Sequence, residues 1–229
     1  LAGIASIPGH DIDAAVAEIE RVAKRGALSG LEIPTIPGGK PLYHKHWHPV
    51  FAAAAASKLP LHFHTGGATS PDYESMEPLE ARQAFAVFIT GFQMYMSNKL
   101  MEIVFGGTLE MYPDLKVVIA ESGIGWIPYI LEHMDLEWED QFKDLTLKMK
   151  PSEYWYRQCY ATFQSDPVGM QLVDQLGEDN IMWGSDFPHP DGIWPDSQEF
   201  IEREMGHLPD AIRQKTTYDN AAKLYGFPK

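Results

Sequence analysis

The sequence predicts an α/β protein, a parallel sheet covered by helices. Three observations carry that reading. A short apolar run followed by a longer amphipathic stretch recurs six times along the chain, the alternation of strand with helix. His64, Glu121, Gln164 and Asp186 fall at or just past the ends of apolar runs, where parallel sheets place ligands. Neither Gly-x-Gly-x-x-Gly nor Gly-x-x-x-x-Gly-Lys occurs, which removes the usual support for nucleotide binding. Serial units of this kind are either doubly wound or closed as a barrel. A barrel needs eight strands, and six are counted.

The first unit is Leu1 to Ile7, a turn at Pro8 and Gly9, and a helix over Asp11 to Lys24 with Ile12, Val16, Ile19 and Val22 at helical spacing. The second is Gly30 to Pro34, a loop rich in Pro and Gly, and a helix near Pro49 to Ser57 with five consecutive alanines, the strongest helix former. Leu59 to His64 is the third run, followed by a loop through Pro71 and helices over Pro78 to Ser97 and Asn98 to Met111. Lys116 to Glu121 and the helix Trp126 to Gln141 form the fourth. Arg157 to Phe163 is the fifth strand, with Asp166 capping a helix over Pro167 to Leu176. Asn180 to Ser185 is the sixth, and helices near Ser197 to Met205 and Pro209 to Tyr225 close the chain.

Composition narrows the function classes. The 229 residues carry 32 Asp plus Glu against 18 Lys plus Arg, a formal charge of -14, too acidic to coat a phosphate backbone, so nucleic acid is not an expected partner. With 45% hydrophobic residues and no linker or low-complexity tract, residues 1–229 are expected to form one domain around one core. No apolar run approaches the roughly 20 residues that span a bilayer, and no secretory leader is recognised, so a soluble cytoplasmic protein without a membrane partner is expected. The single cysteine, Cys159, leaves metal chemistry to nine histidines and the carboxylates.

Several of those residues are placed for chemistry. His62 and His64 stand two apart on a strand and share a face, half of a metal site. Asp186 ends an apolar strand with His189 three residues on; a carboxylate there is costly unless paired or bound to a cation, and the alternative is that it caps a turn with Phe187-Pro188. His64 and Asp186 together favour one divalent metal with N and O ligands. Glu121, before Ser122-Gly-Ile-Gly125, suits a general base, a metal ligand or a group orienting a histidine. Its glycines allow the backbone to approach a ligand, and Ser122 is available to cap the helix at Trp126. Glu32 either faces the interior or forms a structural ion pair. His44, His46 and His48 read as solvated or cap contacts, and His133 as packing or a salt bridge. His64 and Asp186 are thus the expected metal ligands, Glu121 and Asp186 the catalytic groups, and His62, His189 and Trp194 the contacts to a small-molecule substrate.

Four segments occur in order: His62-Phe-His-Thr-Gly66, Val117-Val-Ile-Ala-Glu-Ser-Gly-Ile-Gly-Trp126, Met182-Trp-Gly-Ser-Asp-Phe-Pro-His189 and Asn220-Ala-Ala-Lys-Leu-Tyr-Gly226. The set resembles the amidohydrolase-related family that includes aminocarboxymuconate semialdehyde decarboxylase and the resorcylate decarboxylases. The resemblance implies a distorted (β/α)8 TIM barrel, of which about six βα units are present here. It also implies one divalent metal, usually zinc and manganese in some members, and hydrolysis or nonoxidative decarboxylation of a small carboxylated or cyclic substrate. A homodimer is a further expectation from it. By position, His64 would be the fifth-strand ligand and Asp186 the eighth-strand carboxylate, while Glu121 stands where characterised decarboxylases carry a histidine. The family's first-strand ligand pair has no counterpart, so the expectation is a longer native gene, or an upstream segment that is disordered, cleaved or carried separately. The rival reading is a noncatalytic fragment or degenerate barrel that binds a ligand or partner without turnover.

Overall fold

The computed structural model describes residues 2–34, 39–64, 71–189 and 191–227. Its strands are β1 (Ile4–Ser6), β2 (Gly30–Ile33), β3 (Leu61–His64), β4 (Val117–Ala120), β5 (Cys159–Phe163) and β6 (Ile181–Trp183). The helices are α1 (Ile12–Arg25), α2 (His48–Ser57), α3 (Pro78–Gly91), α4 (Tyr95–Phe105), α5 (Thr108–Met111), α6 (Ile127–Asp140), α7 (Pro151–Gln158), α8 (Pro167–Gln171), α9 (Val173–Leu176), α10 (Ser197–Met205), α11 (Asp210–Gln214) and α12 (Asn220–Tyr225). The strands form one sheet in the order β1-β2-β3-β4-β5-β6, and each neighbouring pair is parallel. A doubly wound sheet reverses its strand order part-way; this one never does. The described strands are six βα units of a distorted (β/α)8 barrel, all with their C-terminal ends at one edge.

Register divides the sheet into two chemically different faces. Leu31, Leu61, Val117 and Cys159 align across β2 to β5, and Phe63, Ile119, Ala161 and Ile181 across β3 to β6. All eight lie in the single cluster of buried apolar residues, together with Ile19 and Val22 of α1, Phe51 of α2 and Trp155 of α7. The alternate set puts Glu32 beside His62, His62 beside Val118 and His64 beside Ala120. Val118 and Met182 of this set are buried but stand outside that cluster. The apolar core therefore lies between sheet and helices, and the opposite, inner face carries Glu32, His62 and His64.

The last helix closes the N-terminal end of that inner face. Asn220 Nδ2 donates to Glu178 O and Ile181 O at the start of β6. Across the sheet, the Tyr225 hydroxyl meets His62 Nε2 at 2.8 Å, with the rings stacked at 5.7 Å. His62 Nδ1–H donates to Leu31 O at 2.8 Å.

Element boundaries moved where local capping overrides apolar pattern. The fifth strand begins at Cys159, because Arg157 and Gln158 belong to α7, whose capping box joins Lys150 and Glu153. The expected helix over Pro167 to Leu176 breaks into α8 and α9, and the closing helix contains a π-helical turn at Lys215–Asp219. His44 is a cap as expected, its Nδ1 accepting from the His46 amide. His133 stacks on Tyr129 and reaches Glu137 at 3.9 Å. Among the described residues no helix is long and apolar enough to cross a membrane.

Cys159 sits on the core face of β5, and burial pushes its thiol from 9.0 up to about 12. The folded chain thus keeps a proton that the unfolded chain releases above pH 9.0. The thiol's contribution is lost as pH rises from there, by about 1.4 kcal/mol per pH unit until the folded thiol also ionises. Urea unfolding of wild type and Cys159→Ala between pH 8 and 10 checks this: the difference in slope against pH is expected to have that sign. Thiol reagents at pH 8 are expected to label Cys159 only after unfolding.

Candidate metal and acid–base site

Three strand ends build the site. His64 is the last residue of β3. Glu121 follows β4 and Asp186 follows β6, each in the left-handed region, at φ 52 and φ 57. The only other described non-glycine residue there is Lys58, at a helix C-terminus. Such backbone is strained for side chains with a Cβ, and at these positions it turns two carboxylates toward each other. β5 holds the first in place: the Glu121 amide donates to Thr162 Oγ1 at 2.8 Å and the Ser122 amide to Thr162 O at 3.1 Å.

His64 Nε2–H donates to Glu121 Oε2 at 2.6 Å. That hydrogen bond raises the imidazole above its ordinary pKa; burial opposes it, and the charges of Glu121, Glu32 and Asp186 add to it. Glu32 thus faces the interior and acts on His64 through its charge. Asp186 Oδ1 accepts from His189 Nδ1–H at 3.0 Å, while Asp186 Oδ2 is buried with no partner. Burial first, and the charge of Glu121 second, push the Asp186 carboxyl up. A buried carboxylate oxygen left unpaired beside another carboxylate is costly. A cation relieves both the missing partner and the repulsion.

The donor set fits one. Among the described residues, the ligand atoms of Glu121, Asp186 and His189 lie within 4.8 Å of one another. Carboxylate oxygens with one imidazole nitrogen suit a divalent ion such as zinc or manganese.

The expected residues are distributed differently from the sequence reading. Asp186 is in the group, but its partners are Glu121 and His189; His64 stands beside it, tied to Glu121. His62, expected to touch substrate, is 3% exposed with both ring nitrogens engaged by Leu31 O and the Tyr225 hydroxyl. It belongs to the closed end of the barrel, and that expectation is corrected. Trp194 is 62% exposed and packs edge-on against the exposed Phe187 at 5.0 Å. Ser122 is no helix cap, since its Oγ donates to Ile119 O or Gly123 O. Asp166 instead accepts from the Ile124 and Gly125 amides. Gly123 permits close approach of Gln93 Oε1 and this carboxylate, and Gly125 of this carboxylate. Residues 65–67, the Thr-Gly-Gly after His64, lie outside the described residues.

Sequence reasoning missed Thr162 and the second role of Asp166. The signal for Asp166 was present as a helix cap before Pro167; its other partners lie about 40 residues upstream, beyond any local pattern.

The sequence profile described as amidohydrolase matches residues 1–227. The chain belongs to the amidohydrolase family. It is 22% identical over 224 residues to 2-amino-3-carboxymuconate-6-semialdehyde decarboxylase of Dictyostelium discoideum, covering 95% of this chain and 57% of that protein. The chain thus spans little more than half of that curated relative. The crystal structure of 5-carboxyvanillate decarboxylase from Sphingomonas paucimobilis superposes with a TM-score of 0.80 at 26% identity, covering 99% of this chain and 67% of that one. Dihydroxybenzoic acid decarboxylase from Polaromonas sp., holding manganese and 2-nitroresorcinol, superposes with a TM-score of 0.78 at 19% identity, over 100% and 70% of the two chains. At that identity it is a likeness of fold.

The strained charge of the site gives a stability prediction. Without divalent ions at pH 7, Asp186→Asn removes a repelled, partly unpaired carboxylate and is expected to raise the unfolding temperature by about 2–4 °C, the shift ~1 kcal/mol gives in a chain this size. Thermal unfolding in chelator checks it. A lower transition in the variant contradicts the electrostatics described.

Proposed function

We propose that the protein is a metal-dependent carboxy-lyase that removes carbon dioxide from a small carboxylated ring or similarly conjugated acid. The observation that carries this reading is the convergence of Glu121, Asp186 and His189, with Asp186 Oδ2 buried and unpaired. Membership of the amidohydrolase family and likeness to 5-carboxyvanillate decarboxylase support the choice of reaction.

Glu121, Asp186 and His189 would hold the ion, zinc or manganese. When bound, it supplies a Lewis acid that fixes substrate oxygens and stabilises charge developing on them. The chain's own residues move the proton. In the reaction the bond from a substrate carbon to its carboxylate breaks, the electron pair stays on that carbon, carbon dioxide leaves, and a proton bonds in its place. His64 is suited to give it: the hydrogen bond to Glu121 keeps the imidazole protonated to higher pH than a free one, and Glu32 and Asp186 favour the charged form. Phe187 and Trp194, two exposed aromatics in the loop that begins at Asp186, offer flat surfaces against which a conjugated substrate packs.

The test is carbon dioxide release from a panel of hydroxylated aromatic and unsaturated carboxylic acids by manganese- or zinc-loaded protein, against ester and lactone cleavage. Release is expected, with His64→Gln lowering kcat about 10²–10⁴-fold. Ester or lactone cleavage without carbon dioxide would replace this reading with a hydrolase, and silence in both assays contradicts catalysis.

A further inference from the structure

Behind the site stands a carboxylate that contacts none of the three grouped donors. The carboxylate of Asp166, in the loop between β5 and α8, accepts three hydrogen bonds from backbone amides, and its own amide donates a fourth. Its Oδ2 accepts from the Ile124 amide at 2.6 Å and the Gly125 amide at 2.7 Å, and its Oδ1 from the Gly169 amide at 2.8 Å. Its own amide donates to Glu204 Oε2 at 3.0 Å. Glu204 of α10 is 4% exposed and also accepts from Ser165 Oγ at 2.6 Å and Arg203 Nη2 at 3.0 Å. The space is shaped for this contact. A Cβ on Gly125 would stand 3.0 Å from Asp166 Oδ1, and one on Gly123, at φ +61, would stand 3.1 Å from Gln93 Oε1 and 3.3 Å from Asp166 Oδ2.

A helix cap needs only the Gly169 contact. The two shorter contacts reach across to the loop after β4, three and four residues beyond Glu121. That residue sits in a strained left-handed conformation held on its other side by Thr162. We propose that Asp166, itself fixed by Glu204, is a positioning residue that clamps the 121–125 loop so that Glu121 meets His64 and the metal group. This rests on the carboxy-lyase reading only for what the metal does; the clamp on the Glu121–His64 contact stands apart from it. Charge-assisted bonds from one carboxylate to adjacent amides fix a backbone far better than neutral loop contacts, and loss of such outer support typically costs ten- to a hundredfold in metal affinity.

Asp166→Ser tests it, because serine retains a cap for Gly169 but cannot reach Ile124 and Gly125. Asp166→Asn, nearly isosteric with one acceptor oxygen left, is the second variant if the first does not fold. At fixed pH in chelator, the imidazole ¹⁵N and ¹H resonances of His64 report its bond to Glu121, while those of His62, bound to Leu31 O and Tyr225, report the fold. The expected result is a changed His64 Nε2 signal with His62 unchanged, and manganese affinity lower by ten- to a hundredfold. An unchanged His64 signal overturns the clamp. Changes at both histidines reduce Asp166 to general structural support and also overturn it. Unaltered manganese affinity in a variant whose His64 signal has moved overturns the link from clamp to metal. Wild-type protein that takes up neither manganese nor zinc instead overturns the carboxy-lyase reading, and the histidine signals still decide the clamp.

Discussion

Two carboxylates brought together on strained backbone are the constraint around which this end of the barrel is arranged. Glu121 and Asp186 belong to loops 65 residues apart in sequence, each in a left-handed conformation that a side chain ordinarily avoids. Like charges brought together raise each other's free energy, and burial of Asp186 Oδ2 adds desolvation. The surroundings answer in two ways. His64 donates a hydrogen bond to Glu121, and His189 donates one to Asp186. What remains unanswered is one buried oxygen, and that residual is the physical argument for a cation. Sites of this kind trade stability for function.

The fold makes the convergence possible by parity. With every strand parallel and in sequential order, all C-terminal ends share one edge, and the strand period of two sends the apolar residues of β2 to β5 to the helices while Glu32, His62 and His64 turn inward. Depth then separates the two histidines. His62, one residue into β3, meets the last helix and becomes part of the closed end. His64, at the strand end, meets Glu121. Neutral His62 suits its place: burial lowers its pKa, and the bonds to Leu31 O and the Tyr225 hydroxyl fix one tautomer.

The class of fold and the ring of strand-end residues were legible from pattern alone, because apolar runs and the residues that end them are local signals. His62 and His64 were placed on one face correctly, yet their different depths depended on Tyr225, 163 residues from His62. The helix α7 was hidden because its capping residue is Lys150 rather than a Ser, Thr, Asp or Asn. Asp166 was read as a cap, which it is, while its reach to Ile124 and Gly125 is a tertiary contact. Glycines at 123 and 125 looked like room for a ligand; the Asp166 carboxylate comes close to both, with Gln93 also at Gly123. Pairing Asp186 with His64 followed from both being strand-end residues; in the structure the short contact of His64 is to Glu121.

Anomalous diffraction from crystals soaked in manganese tests the central claim most directly. The account predicts a single strong peak at the β4 and β6 ends, among the carboxylate oxygens of Glu121 and Asp186 and a ring nitrogen of His189, with His64 still bound to Glu121. A fully occupied ion elsewhere, or none in crystals whose Asp186 Oδ2 is otherwise satisfied, would contradict it.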